Sequence, residues 1–242
     1  MAVLKDMTRY LRKPHPIARR DAFTPDTVLA LLKLLGFTFL MLPILGIFMG
    51  ALFAATGVTL PEPSEEFADM ASRPNFIILA AIIAPLIEEL LFRSWLGKRW
   101  GVFLVAPLLL VGLALLILMG TDDVTSGIRY AGAIAVIGSA SLYMSRYLKA
   151  RQEEGVLDQA LQRIFPFAFW GSSLGFGLMH LANYEGGEMG LLLPLIILPQ
   201  FVVGVILGYV RMRFGLWCAI FFHGAYNTVL LTVFSKLSQA AL

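Results

Sequence analysis

The feature that most constrains the fold of this chain is a series of seven long apolar runs. They cover about residues 27–55, 75–95, 102–119, 128–147, 165–183, 190–210 and 215–235. A helix needs roughly 20 mostly apolar residues to cross the hydrocarbon core of a bilayer. The mean hydropathy of +0.78 and a charged fraction of only 14% agree with such helices. We therefore predict an all-α fold, a polytopic membrane helical bundle with about seven transmembrane helices, in the plasma or inner membrane of the cell.

The charges between the apolar runs predict the orientation of the bundle. Lys and Arg are concentrated in the N-terminal arm, after the second run, after the fourth and after the sixth, whereas the other connections carry mainly Asp and Glu. Basic connections remain on the cytoplasmic side of a membrane, so we predict a cytoplasmic N-terminus. The basic pI of about 9.1 does not indicate a nucleic-acid partner, because the basic residues follow this membrane pattern.

We divide the chain into three parts. Residues 1–26 form a basic cytoplasmic N-terminal arm, residues 27–56 the first transmembrane helix, and residues 75–235 the helical membrane core. The arm either lies on anionic lipid headgroups or is a mobile basic tail. The connection 57–75 contains a predicted short surface helix near Ser64 to Ala71, with Ser64 as its N-cap. The lone cysteine, Cys218, excludes a disulfide within one chain.

The second apolar run contains charged residues in the stretch "LAAIIAPLIEELLFRSWLG". A charged side chain at the centre of a membrane helix costs about 2.5–3.5 kcal/mol, so these groups need partners or a polar cavity. Glu89 and Arg93 are four residues apart with the acid first, which favours an ion pair on one helix. Glu88 lies about 100° around the helix from Glu89 and is left to face a different neighbour.

Two later runs carry further polar clusters. "FGLMHLANY" contains Phe176 and His180, and "FFHGAYNTV" places His223 and Asn227 four residues apart on one helical face. Such residues can simply join helices by hydrogen bonds. Ionisable groups in three separate runs favour instead a shared functional site inside the membrane.

The types of side chain in these clusters favour one chemistry. A carboxylate with an imidazole can orient and deprotonate water. A second imidazole with an amide can stabilise an oxyanion at an attacked carbonyl. No serine is paired with a base, and Cys218 lies five residues before His223, on a different helical face. The set therefore predicts an amide hydrolase that forms no covalent intermediate.

Together the clusters resemble the three motifs of the CPBP family, which are EExxxR, FxxxH and HxxxN. The matching stretches are "EELLFR", "FGLMH" and "HGAYN", in this order, and the resemblance covers about residues 75–235. The family includes the type II CAAX prenyl proteases and the Abi and bacteriocin-processing relatives. The resemblance implies a glutamate-dependent intramembrane endopeptidase without a cofactor, acting on a peptide or protein substrate that in some members is lipidated.

The resemblance also assigns roles to residues. Glu88 matches the position that activates water, assisted by His180. His223 and Asn227 match the pair that stabilises the oxyanion, and Glu89 and Arg93 match supporting positions.

Three alternatives remain open from the sequence. Glu88, His180 and His223 could bind a divalent metal. Intramembrane Glu and His side chains also relay protons in transporters, although no repeat symmetry is visible here. The chain could also be a non-catalytic scaffold or immunity factor.

Two expectations concern packing. His180 and Glu88 reach one depth only if the fifth helix is shifted or if the segment around 184–190 bends into the protein, and of these we expect the bend. Gly204 and Gly208, at GxxxG spacing, are expected to permit close helix contact within the chain.

Overall fold

A computed structural model of the protein describes residues 2–17, 23–57, 62–73, 75–96, 156–184 and 193–240, and these residues are mostly helical without a β-strand. The described residues form eight helices, and a 3₁₀ turn at His180–Asn183 follows the fifth. They are α1 (Ala2–Arg12), α2 (Pro25–Thr56), α3 (Glu65–Ser72), α4 (76–96), α5 (Val156–Met179), α6 (Leu193–Ile196), α7 (Leu198–Arg213) and α8 (Leu216–Ala240). Within this part of the chain, the predicted helical class is confirmed.

Two of the described helices are long and apolar enough to cross a membrane. They are α2, at Pro25–Thr56, and the Leu216–Val233 part of α8. Thr24 begins α2 with a capping box, in which its side chain and that of Thr27 each accept a hydrogen bond from the other's backbone N–H. The predicted runs 102–119 and 128–147 lie outside the described residues, so the count of seven spans and the cytoplasmic N-terminus stay predictions.

Helix α4 is not uniform, because a π-helical turn at Leu79–Ile83 separates Phe76–Ile78 from the α-helical segment Ala84–Arg93. The N–H of Ala84 donates to the carbonyl of Leu79, five residues back. The carbonyl of Ala80 therefore loses its usual partner within the helix. Pro85 has no N–H, so the carbonyl of Ala81 loses its usual partner as well. The turn thus leaves two neighbouring carbonyl groups without the partners that an α-helix would give them. A 3₁₀ turn at Ser94–Leu96 ends the helix.

Helices α5 and α7 pack closely against each other through glycines of α7. A Cβ on Gly204 would lie 3.1 Å from the carbonyl oxygen of Ser173, and one on Gly208 would lie 2.8 Å from the Phe169 ring. The expected close contact of Gly204 and Gly208 within the chain is therefore confirmed. Phe165, Phe169, Phe176, Leu207 and Tyr209 are fully buried around this contact and form the centre of the core.

The end of α4 is fixed to both of these helices by side-chain hydrogen bonds. The Ser172 hydroxyl donates to the carbonyl of Phe92, and Arg211 donates to the carbonyls of Arg93 at 2.8 Å and Ser94 at 3.2 Å. Carbonyls at the C-terminus of a helix have no partner within the helix, so these donors from α5 and α7 satisfy them. The end of the helix that carries the first motif is thereby held in a fixed position.

The N-terminal arm contains a helix that the sequence analysis did not predict. In α1, Met7 and Tyr10 are buried, whereas Lys5 and Arg9 are exposed. The Tyr209 hydroxyl of α7 donates to the Asp6 carboxylate at 2.7 Å. The mobile-tail alternative is therefore wrong for residues 2–12, and the proposed contact of the basic face with lipid headgroups stays a prediction.

Three further sequence predictions can be compared with the described residues. Ser64 caps α3 by accepting from the Phe67 N–H, so the predicted surface helix is confirmed with bounds Glu65–Ser72. The run 190–210, predicted as one helix, is wrong in detail: α6 ends at Ile196, and α7 begins at Leu198 with Pro199 in its first turn. Proline cannot donate to the preceding turn, which explains the break. The expected bend at 184–190 falls almost entirely outside the described residues.

Candidate active site

A cavity of about 620 Å³ lies between α3, α4, α5, α7 and α8. Polar side chains of three sequence motifs line it: Glu88 from α4, His180 after α5, and His223 and Asn227 from α8. Most other lining residues are apolar, among them Phe67, Met70, Phe76, Leu79, Ile83, Ile87, Val203, Tyr226 and Leu230. The structure thus brings the four predicted catalytic residues together at one cavity, although they are separated by up to 139 residues in the sequence.

Glu89 and Arg93, the two predicted supporting residues, lie behind this cavity in the protein interior. Both side chains are fully buried, and Arg93 Nη1 donates to Glu89 Oε1 at 3.0 Å. Arg93 Nη2 also donates to the Gly204 carbonyl of α7 at 3.3 Å. The ion pair predicted from the spacing of four residues is confirmed, and the guanidinium additionally joins α4 to α7.

Glu89 also determines the orientation of His223. Glu89 Oε1 accepts a second hydrogen bond from His223 Nδ1 at 3.1 Å, so Nδ1 carries the proton in this contact. The opposite ring nitrogen, Nε2, then faces Glu88, with Oε2 of that carboxylate 3.7 Å away. A carboxylate that holds one nitrogen of an imidazole fixes both its tautomer and its ring orientation. Glu88 and Glu89 thus face opposite nitrogens of the same ring.

The backbone of α5 orients His180, which directly follows this helix. Its Nδ1 lies 2.8 Å from the Phe176 carbonyl oxygen, and a carbonyl can only accept, so Nδ1 is the donor. In the neutral ring the lone pair is therefore on Nε2. This leaves a basic nitrogen on the side of the ring that is not bound to the backbone.

Phe176, the aromatic residue of the second motif, contacts both histidines and Arg93. Its ring centroid is 4.8 Å from that of His180 and 5.5 Å from that of His223. The guanidinium carbon of Arg93 lies 4.1 Å from the same centroid, which is a cation–π contact. The Phe176 ring therefore fixes the separation between the two imidazoles and covers the buried Arg93.

Asn227 and Gly224 hold α8 against the π-helical turn of α4. The Asn227 amide nitrogen donates at 2.7 Å to the carbonyl of Ala80, which lacks its usual partner in the helix. A Cβ on Gly224 would lie only 2.5 Å from the carbonyl oxygen of Ala81, so no larger residue fits without a shift of backbone. The third motif thus donates a hydrogen bond to the Ala80 carbonyl and packs closely on the Ala81 carbonyl. Since the turn lies just before Glu88, this contact positions the carboxylate.

The start of α3 forms one wall of the cavity and is fixed next to His180. The backbone N–H of Ser64 donates to the Asn183 carbonyl at 2.9 Å, and Pro63 forms an isolated β-bridge with Tyr184. Pro63, Asn183 and Tyr184 all line the cavity. The sequence analysis treated this segment as a surface connection and did not predict its place at the site.

Sequence reasoning also missed Gln200, another lining residue of the cavity. Its side-chain oxygen is buried and has no hydrogen-bond partner in the described part of the chain. The available signal was a polar side chain inside the apolar run 190–210, one helical turn before Gly204.

The metal alternative at Glu88, His180 and His223 stays a prediction. Among the described residues, no group of three or more His, Cys, Asp or Glu side chains is arranged to hold a metal ion. The chemical steps proposed below use only side chains of the protein.

Comparison with known proteins identifies the region that contains the site. A family model described as "Type II CAAX prenyl endopeptidase Rce1-like" matches residues 71–229, which are 159 of the 242 residues. The matched segment includes all three motifs. No curated protein and no solved structure gives a match to the chain.

Proposed function

Because the chain belongs to the Rce1-like family of type II CAAX prenyl endopeptidases, which are membrane-embedded proteases, we propose that it hydrolyses a peptide bond with water as the nucleophile. In this proposal, Glu88 and His180 activate the water, and His223 and Asn227 stabilise the oxyanion that forms at the attacked carbonyl. Glu89 and Arg93 position His223. The reaction forms no covalent bond between enzyme and substrate.

The single observation that carries the proposal is the placement of Glu88, His180, His223 and Asn227 around one largely apolar cavity. Such a cavity with a few convergent polar groups is the usual form of a substrate site. Glu88 Oε2 is buried at this cavity and has no hydrogen-bond partner among the described residues.

The proposed water lies between Glu88 and His180. An unpartnered carboxylate oxygen accepts a hydrogen bond from water and orients its lone pair towards the scissile carbonyl. The Phe176 carbonyl holds His180 Nδ1, which leaves Nε2 as a second proton acceptor. Glu88 takes the proton of the attacking water, and the proton passes to the leaving amine when the carbon–nitrogen bond breaks.

The oxyanion is stabilised from the α8 side of the cavity. One N–H of the Asn227 amide is used by Ala80, and an amide nitrogen carries a second N–H. His223 donates from Nε2 when this nitrogen also carries a proton, since Nδ1 is already committed to Glu89. Donors that are fixed in advance stabilise developing charge without reorganisation, which is why Glu89 and Arg93 contribute to catalysis without contact with the substrate.

The apolar walls of the cavity fit a substrate with a large apolar part. Phe67, Met70, Leu79, Ile83 and Leu230 are among its lining residues. A lipidated peptide presents such a part, and C-terminal C-a-a-X sequences are farnesylated on cysteine. We therefore propose a peptide or protein substrate, with a farnesylated C-a-a-X peptide as the first probe.

The test is cleavage of this probe by the purified protein in lipid nanodiscs, with products identified by mass spectrometry. We expect Glu88→Gln to reduce the rate of cleavage by at least about 10³-fold, since it removes the base but keeps the shape. His180→Ala and His223→Ala are expected to have effects of similar size. Cleavage by the Glu88→Gln protein at the wild-type rate would refute the assignment.

The matched control is Glu65→Gln, which removes an exposed carboxylate on α3. Its rate is expected to equal that of the wild type. Wild-type activity that disappears on extensive chelation and returns with one divalent metal would support the metal alternative instead. Proton flux into liposomes that is lost in Glu88→Gln, without any cleavage, would support a transporter. A cellular phenotype unchanged in Glu88→Gln would support a non-catalytic scaffold.

A further inference from the structure

We infer that Gln200 binds the peptide backbone of the substrate, with its side-chain oxygen accepting a hydrogen bond from a peptide N–H near the bond that is cleaved. This inference rests on the proposed function, because it assigns a further substrate contact to the same cavity. Gln200 belongs to none of the three motifs.

The state of the Gln200 side chain is the first reason for this inference. Its Oε1 atom is buried and has no hydrogen-bond partner among the residues that the structure describes, yet the residue lines the cavity. Buried polar atoms of side chains are nearly always hydrogen-bonded, so one without a partner calls for an explanation. A ligand that enters the cavity with a donor group would satisfy it.

The position of Gln200 is the second reason. It lies in the first turn of α7, four residues before Gly204, so both residues are on the same face of the helix. Gly204 is the residue whose carbonyl accepts from Arg93, which is paired with Glu89 beneath the site. Gln200 thus lies on the α7 wall of the same cavity that the proposed catalytic groups line.

The chemistry of the amide oxygen identifies the class of group that it binds. An oxygen without a proton can only accept, so its partner must be a donor. A farnesyl chain has no donor group and fits the apolar walls, whereas each peptide unit of a substrate offers one N–H. The lipid and peptide parts of a substrate would therefore contact different parts of this cavity.

The experiment removes the two partners of this hydrogen bond separately and together. The enzymes are the wild type and Gln200→Met, which is similar in size and has no amide. The substrates are farnesylated C-a-a-X peptides in which each peptide N–H is replaced in turn by an ester oxygen. The bond that mass spectrometry shows to be cleaved keeps its N–H. Gln162→Met, on an exposed position of α5, is the matched control enzyme.

We expect Gln200→Met to raise KM for the all-amide peptide about three- to tenfold, with kcat within about twofold of wild type. At one ester position, the wild type and the Gln162→Met control should lose activity by a similar factor relative to the all-amide peptide. Gln200→Met should then cleave the ester and amide forms of that peptide equally well within about twofold. If the loss of activity from Gln200→Met and the loss from the ester multiply at every ester position, the inference is wrong.

A second measurement uses the protein without substrate. If Gln200 Oε1 has no partner in the free protein, its loss should leave the melting temperature of Gln200→Met unchanged or raised. A fall of several degrees relative to Gln162→Met would show that Gln200 holds the fold together, and would overturn the inference. If no enzyme cleaves any peptide, the proposed function fails and the inference fails with it, whereas cleavage without the expected dependence on Gln200 overturns the inference alone.

Discussion

Two adjacent glutamates in one helix have different environments, and this difference determines the site. Glu89 is fully buried and accepts hydrogen bonds from Arg93 and His223, whereas Glu88 lines the cavity. The first contact follows from spacing along a single helix, so the sequence predicts it. The second joins residues 134 positions apart and depends on how α8 packs on α4. No local pattern in the sequence contains that information.

The buried pair of Glu89 and Arg93 gives a prediction about stability. Arg93→Met should lower the free energy of unfolding by about 3–5 kcal/mol, because it leaves the Glu89 carboxylate buried without its counter-ion. Loss of the contact between Arg93 and the Gly204 carbonyl adds to this effect. The measurement is thermal unfolding in detergent, followed by intrinsic fluorescence.

The chain contains a matched control with the same spacing. Arg73 and Asp69 also form an ion pair four residues apart, but 61% and 66% of these side chains is exposed to solvent. Arg73→Met should therefore change the free energy of unfolding by less than about 1 kcal/mol. If Arg93→Met and Arg73→Met lose equal free energy of unfolding, burial does not determine how much the Glu89–Arg93 pair contributes to stability.

At the scale of elements, the site depends on the contact between α8 and the π-helical turn of α4. Because Ala84 donates to Leu79 and Pro85 has no N–H, the carbonyls of Ala80 and Ala81 lose the partners four residues on that an α-helix would give them. The third motif supplies the neighbours: Asn227 donates to Ala80, and Gly224 gives space for Ala81. This explains in physical terms why a glycine follows the histidine of that motif.

Gly224→Ala tests this contact. The added methyl group would lie 2.5 Å from the Ala81 carbonyl oxygen, so the two helices must separate. We expect a loss of about 1–3 kcal/mol in the free energy of unfolding, as for other overpacked sites. The displacement also moves Glu88 relative to His223, so cleavage of the farnesylated probe should fall at temperatures where the variant is still folded.

Gly171→Ala is the control for helix propensity. Gly171 lies within α5 and nothing is within 4 Å of a Cβ added there. Alanine favours a helix over glycine by about 1 kcal/mol, so this variant should be as stable as the wild type or more stable. A similar loss for both glycine variants would count against the packing argument.

At the scale of the whole molecule, the predicted membrane topology can be tested with cysteine chemistry. The single native thiol is removed by Cys218→Ser, and one new cysteine is then placed by Thr8→Cys or Ser238→Cys. An odd number of crossings places the two ends on opposite sides. We expect an impermeant maleimide to label Thr8→Cys only from the cytoplasmic side and Ser238→Cys only from the other. Labelling of both from the same side would contradict seven spans.

The sequence predicted those features of the molecule that follow from local pattern. The helical class, the cap of α3 by Ser64, the Glu89–Arg93 pair and the close contact at Gly204 each depend on composition or on spacing along one helix. The docking of α1 by Asp6 and the place of Gln200 in the cavity depend on long-range packing. For this reason the sequence alone could not predict them.

The π-helical turn also affects how this chain should be aligned and redesigned. The turn inserts about one residue into an α-helix and thereby rotates everything after it by roughly 100°. A helical wheel drawn straight through residues 76–96 would put Glu88 on the wrong side relative to Phe76 and Leu79. A gap in an alignment to distant relatives, or a deletion of one residue by engineering, therefore affects the direction of Glu88 differently before Ala84 and after it.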